Sequence, residues 1–218
     1  MCLLLKGYVV YCWYDIEKGG RKMEETKIVL NAGKKLYNQK LVAGTSGNIS
    51  MRKINSDDNS FFITPSSLPY DTMVEEDIVE VDGNGVPKNP KKKPSSEWKM
   101  HLAIYRKYPN INAIVHTHSP FATSFAVTRQ DIPLILIEMK PFLGGDIKVA
   151  PFKPAGSAEL GEAILPYLED RNSCLLANHG TISCGKSMDE AYIASEYVED
   201  AAKIYYYAKT SGTPVILE

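Results

Sequence analysis

From Met23 onward the apolar positions switch repeatedly between a period near 3.6 and a period of two, the signature of helices alternating with short strands. "MEETKIVLNAGKKLYNQKL" (23–41) begins acidic and ends basic, matching the dipole of a helix. "NISMR" (48–52) and "FFIT" (61–64) read as strands, and "DIVEVD" (77–82) alternates up to the turn "GNG". Ser95 and Ser96 stand where a helix cap belongs, ahead of "EWKMHLAIYRKY", in which Trp98, Leu102 and Tyr105 recur at helical spacing until Pro109 ends the run. "AIVHT" (113–117) is a β-branched strand, and "SPFATSFAV" opens a helix with proline in its first turn. "AELGEAILPYLED" (158–170) predicts a further helix, "SCLLANHG" and "TISCG" a strand pair, and residues 188 to about 209 a long final helix. These elements predict an α/β chain: a mixed sheet covered by helices on both faces, with no repeat and no linker.

The first 22 residues stand apart from this pattern. "MCLLLKGYVVYCWYDIEKGGRK" is apolar and aromatic, but Lys6 interrupts it, no basic region precedes it and no small-residue cleavage site follows. It is expected to be an N-terminal extension, either an over-long start or an appended strand, with the functional domain over residues 23–218.

Composition narrows the classes. The chain has 218 residues, 44% hydrophobic and 23% charged, enough for one sizeable core. A net charge of -1 argues against nucleic acid, which demands clustered Lys and Arg over a whole face. The basic run "KNPKKK" (88–93) lies between prolines and reads as a solvated loop. No stretch approaches the roughly 18 apolar residues of a membrane span. Cys2, Cys12, Cys174 and Cys184 form no CxxC and no disulfide framework, so reduced thiols and a cytoplasmic location are expected.

The candidate chemistry lies in the histidines. Residues i and i+2 of a strand share a face, so His116 and His118 of "AIVHTHSP" project from one side and form a chelating pair. His179 of "ANHGT" sits at the end of another apolar strand, beside a glycine that lets backbone approach closely. Three imidazoles with an open fourth position is the pattern of catalytic zinc. His101 shares a helix face with Glu97 and reads as a packed residue, or as a partner standing behind the site. "GTSGNIS" (44–50), "TPSS" (64–67) and "SSE" (95–97) place small polar residues at turns and helix starts, where free N–H groups can hold an anion.

Taken together and in order, "GTSGNIS", "ITPSSLPY", "PSSEW", "VHTHSP" and "ANHG" resemble the class II aldolase/adducin family, from about Met23 to Tyr207. The resemblance implies a three-layer α/β/α sandwich with a mixed central sheet, a homotetramer with active sites at subunit interfaces, and one divalent metal per subunit, usually Zn2+. Carried over residue by residue, the metal ligands are His116, His118 and His179. Glu97 is the acid-base group, and the phosphate of a ketose 1-phosphate falls to Thr45, Asn48, Ser66, Ser67, Ser95 and Ser96. Adducin-like structural members lack the full metal triad, so the family's enzymes are the better match. The family's fuculose-phosphate aldolases carry a tyrosine where "IPLILIEMKPFLGG" has Ile137 or Glu138, and a further tyrosine in a tail beyond the end of this chain at Glu218. Those departures point to cleavage of a (deoxy)ketose 1-phosphate into dihydroxyacetone phosphate and a short aldehyde. Two relations of the reaction stay open: a 4-epimerase, whose tail histidine has no counterpart after His179, and a methylthioribulose-1-phosphate dehydratase, for which Glu138 is the candidate glutamate.

Overall fold

Alternating apolar runs assemble into a seven-stranded sheet. A computed structural model describes Leu3–Leu5, Tyr8–Val10 and residues 24–56 and 58–218. Leu3–Leu5 (β1) and Tyr8–Val10 (β2) pair antiparallel as a separate two-stranded sheet. The rest of the predicted extension, with Cys2 and Cys12, lies outside the described residues.

The main elements follow in chain order: α1 (Glu25–Asn38), β3 (Asn48–Arg52), β4 (Phe61–Ile63), β5 (Val79–Val81), α2 (Trp98–Lys107), β6 (Ala113–Thr117) and α3 (Pro120–Thr128). Then come α4 (Met139–Leu143), β7 (Val149–Ala150), α5 (Ala158–Ile164), β8 (Ser173–Leu176), β9 (Gly180–Gly185) and α6 (Met188–Ser211). The sheet order is β5-β4-β3-β6-β9-β8-β7, antiparallel throughout except for the parallel β7/β8 pair. This is the mixed sheet that the pattern predicts.

Helices cover both faces. On one side Met100, Ile104 and Tyr105 of α2 and Leu160 and Ile164 of α5 pack with Phe61, Ile63, Ile114, Leu176 and Ile182. On the other, Val29 and Leu36 of α1 and Met188, Ala191 and Tyr192 of α6 pack with Ile49, Met51, Ala113 and Val115. α3, α4 and the middle of α6 form a third apolar cluster over Leu175. Ile114 faces one layer while Ala113 and Val115 face the other, as strand alternation requires. The result is α/β/α. Among the described residues no helix is long and apolar enough to cross a membrane.

Several predicted boundaries move. Residues 158–170 do not form one α-helix: α5 ends at Ile164 and a 3-10 turn runs over Leu165–Leu168, where Pro166 has no N–H to continue the α pattern. The strand expected over 77–82 narrows to Val79–Val81, because Asp77 closes the 3-10 turn Glu75–Asp77 and its carboxylate accepts from the Val74 N–H at 2.9 Å. Cys174 and Cys184 are buried free thiols on neighbouring strands.

Candidate metal centre

One strand and three connecting segments bring four donor side chains to one point above the central strands. His116 lies on β6 with its ring fully buried, and its Nδ1–H donates to the Thr181 carbonyl of β9 at 2.7 Å. That bond fixes the tautomer and leaves the Nε2 lone pair facing the site. His118 follows the strand end, just before Pro120 opens α3. Glu199 of α6 holds this segment in place, its two oxygens accepting from the Phe121 and Ala122 N–H groups at 3.0 and 2.9 Å. His179 sits in the tight turn between β8 and β9, after Asn178 in a left-handed conformation (φ 55°). Arg129 donates to the Asn178 side chain at 2.6 Å and ties that turn to the end of α3.

Glu97 comes from the other side of the site, immediately ahead of α2. It caps no N–H of its own helix; its Oε2 lies 3.0 Å from His116 Nε2 and its Oε1 3.2 Å from His179 Nε2. His118 Nε2 and His116 Nε2 are 3.0 Å apart. One donor atom from each of Glu97, His116, His118 and His179 falls within 4.8 Å of all the others. Two glycines make this convergence possible. A Cβ on Gly180 would lie 2.2 Å from the Thr117 carbonyl oxygen and 2.9 Å from the His118 ring, and one on Gly47 (φ 72°) would lie 2.6 Å from the His116 carbonyl oxygen.

The charges at this cluster are strongly coupled. Burial disfavours charge on Glu97, but His116, His179 and the Asn48 amide outweigh it and hold the carboxyl well below the usual carboxylate range. Burial likewise works against charge on His116, and Glu97 outweighs it to raise the pKa. Burial and the neighbouring His116 then push His118 and His179 down to about 4, with His179 adding to the effect on His118. Imidazole lone pairs and a carboxylate this close repel one another unless a proton or a metal cation lies among them. Glu97 Oε1 and His179 Nδ1 are buried without a hydrogen-bond partner. Three imidazole nitrogens and a carboxylate are a donor set that suits a divalent cation.

The predicted anion-binding residues divide. Backbone pairing brings "TPSS" against "PSSE": Ser66 N–H donates to Lys93 O, and Ser95 N–H to Thr64 O, each at 3.0 Å. The Ser66 and Ser67 hydroxyls lie 3.3 Å apart, with Ser67 left-handed (φ 60°); Ser96 is exposed and follows the buried Ser95. Thr45 is exposed in the turn that ends at Gly47. Asn48 differs: it is buried, paired in register with His116, and donates from Nδ2 to Glu97 Oε2 at 3.0 Å. Glu138 stands at the start of α4, half-buried beside Tyr197, and is not part of the four-residue cluster. His101 is fully buried, with Nδ1 2.7 Å from Ser50 Oγ and Nε2 2.5 Å from Asn48 Oδ1. Ser50, the last residue of "GTSGNIS", and Tyr105, which lies in no motif, join that network.

Comparison with known proteins gives the family. The family described as Class II Aldolase and Adducin N-terminal domain matches residues 27–206. The chain belongs to the class II aldolase and adducin family. It is 37% identical over 194 residues to a 5-deoxy-D-ribulose 1-phosphate aldolase of Bacillus thuringiensis serovar kurstaki, covering 89% of this chain and 90% of that protein. It is 34% identical over 189 residues to a 5-methylthioribulose-1-phosphate/5-deoxyribulose-1-phosphate aldolase of Rhodospirillum rubrum, covering 87% and 83%. Among solved structures, an L-fuculose 1-phosphate aldolase superposes with a TM-score of 0.85 at 35% identity, over 91% of this chain and 92% of that one. The family resemblance of the motifs and the predicted three-layer fold are both met.

Proposed function

We propose that the chain is a zinc-dependent aldolase that cleaves a deoxyketose 1-phosphate into dihydroxyacetone phosphate and a short aldehyde. The observation that carries this is the convergence of His116, His118, His179 and Glu97 within 4.8 Å. The names of the relatives, two of which act on 5-deoxyribulose 1-phosphate, support the substrate class.

His116, His118 and His179 would hold the metal, which when bound supplies Lewis-acid stabilisation of negative charge developing on the keto and hydroxyl oxygens. The chain's own residues do the rest. Glu97 is buried, free of any capping duty and turned toward the histidine cluster, so it is placed to exchange a proton with the carbon beside the ketone. Asn48 donates to the Glu97 oxygen that lies nearest His116 and so fixes which way the carboxylate faces. Ser66, Ser67, Ser95 and Ser96, with Thr45, are assigned to the substrate phosphate. Their support is the backbone pairing that gathers the two serine segments. The reading extends to a homotetramer working in the cytoplasm, where the buried free Cys174 and Cys184 stay reduced.

The test is a coupled assay for dihydroxyacetone phosphate on 5-deoxyribulose 1-phosphate, with mass spectrometry of the sugar product, run on wild type and on Glu97→Gln. Wild type should release the three-carbon phosphate in a metal-dependent way, and Glu97→Gln should lower kcat by roughly 10²-fold or more, the scale of a lost acid-base group. Loss of water without a three-carbon product would replace the reading with a dehydratase, and an unchanged mass with inverted C4 with an epimerase.

A further inference from the structure

Alternate residues of β3 face α2, and every fourth residue along α2 faces β3. Asn48, Ser50 and Arg52 share one side of the strand, while Glu97, His101 and Tyr105, spaced i, i+4 and i+8, share one side of the helix and its start. The two rows interlock through side chains that are nearly all hidden from water: Ser50, His101 and Tyr105 have no exposure and Asn48 has 2%. Tyr105 Oη and Ser50 Oγ are 2.7 Å apart, Ser50 Oγ and His101 Nδ1 2.7 Å, His101 Nε2 and Asn48 Oδ1 2.5 Å, and Asn48 Nδ2 and Glu97 Oε2 3.0 Å. At the far end Arg52 donates to the carbonyls of Tyr105 and Tyr108 at 2.8 and 3.3 Å, which anchors the row at the last turn of α2.

Elementary donor and acceptor rules give this row one direction. A carboxylate only accepts, so Asn48 turns its NH2 to Glu97 and its carbonyl to His101. A carbonyl only accepts, so His101 carries its proton on Nε2. Burial, with His116 as a second cause, keeps the His101 ring neutral, its pKa pushed down to about 3. Nδ1 is therefore bare and accepts from the Ser50 hydroxyl, whose oxygen in turn accepts from Tyr105. Reversing any one bond leaves two donors or two acceptors face to face in a place that water cannot repair.

We propose that His101 is a positioning residue for Glu97: its Nε2–H holds the Asn48 amide in the orientation that aims an N–H, and not a carbonyl oxygen, at the Glu97 carboxylate. The terminal torsion of an Asn amide is broad and nearly two-fold, so nothing intrinsic to Asn48 selects that orientation. The selection comes from the helix, one turn beyond Glu97. A turned amide would set a carbonyl oxygen against Glu97 Oε2 and push the carboxylate off His116. The proposal rests on the assignment of Glu97 as the acid-base group.

Two experiments test it. In the metal-free wild-type protein, ¹⁵N NMR of the histidine side chains should find His101 as the neutral Nε2–H tautomer; a proton on Nδ1 would overturn the proposal whatever the variants do. His101→Leu removes the donor, while His101→Gln offers a side-chain N–H near the place of Nε2. His101→Leu should lose roughly 10²-fold in kcat, the scale of a 1 Å misplacement at a reacting centre, with little change in KM. His101→Gln should recover most of that loss. Equal kcat for both variants and wild type, equal losses in both variants, or a loss confined to KM would each overturn it. The tautomer is read without turnover, so a protein with the Nε2–H tautomer that cleaves no ketose phosphate would remove the aldolase reading and keep the His101 contact.

Discussion

Gly180→Ala is the smallest change that should disable the metal centre. A Cβ at this first residue of β9 would lie 2.2 Å from the Thr117 carbonyl oxygen, 2.9 Å from His118 Cδ2 and 3.3 Å from His116 Cε1. The closest comfortable approach of carbon to a carbonyl oxygen is about 3.3 Å, so β6 and β9 must part by about 1 Å at this point. Thr117 is backbone-paired with Thr181 in the middle of the sheet, and its oxygen is not a flexible chain end that can swing aside. Overpacking of this kind costs about 1 to 3 kcal/mol, and here the strain falls between the strand that carries His116 and the turn that carries His179. If about 2 kcal/mol of it is relieved by letting the histidines drift from their convergence, metal affinity falls roughly 30-fold. The measurement is competition for zinc against a chromogenic chelator, with thermal melting to confirm the fold. Gly212→Ala is the control, since a Cβ there meets nothing within 4 Å and the backbone is extended. Wild-type zinc affinity in a folded Gly180→Ala protein would refute the claim that this glycine sets the geometry of the site.

Two other outcomes follow from the same structure. Burial lowers the His101 pKa from 6.5 to about 3, so between those values the unfolded chain holds a proton that the folded chain does not; the stability this group contributes is present above about 6.5 and lost as the pH falls, at about 1.4 kcal/mol per pH unit. In denaturant unfolding of the metal-free protein, His101→Gln should flatten the acid-side slope by that amount, and parallel pH profiles for the two proteins would count against a neutral buried imidazole. A chain that starts at Met23 should keep the melting temperature and zinc affinity of the full chain, because the family match begins at residue 27 and every site residue lies beyond it; an insoluble or metal-free product would assign residues 1–22 to the fold.

The elements legible in the sequence are those long enough to show a period. α1, α2, α6 and β6 fall close to their predicted places because each carries an apolar face or a β-branched run and a clear stop, such as Pro109 after α2. α4 has only five residues and β7 only two, too few for any period to emerge, and the short helix is packed through Met139 and Leu143 against α6. Their existence depends on what they pack against, which no local pattern records. The break at Ile164 was marked in the sequence by Pro166, whose effect on an apolar run is to tighten the next turn.

The histidine cluster was legible for the opposite reason: chemistry-bearing residues at a spacing that strand geometry turns into a shared face. Glu97 was readable from its place ahead of α2, but the family motif was needed to separate it from an ordinary first-turn acid; the structure separates them by turning its carboxylate toward His116 and His179. The row behind it was hidden by the usual meaning of alternation. In "NISMR" the polar residues would ordinarily mark a solvent face, yet β3 is an inner strand with a helix on each side, so Asn48 and Ser50 are buried as deeply as Ile49. A polar face on a strand flanked by helices has to be answered by polar residues on one of them, and "EWKMHLAIY" answers at Glu97, His101 and Tyr105. Matching a period-two polar row against a period-four row on the following helix is thus a way to find such a network before any coordinates exist. It assigns a role to residues like Ser50, whose single hydroxyl serves two buried partners.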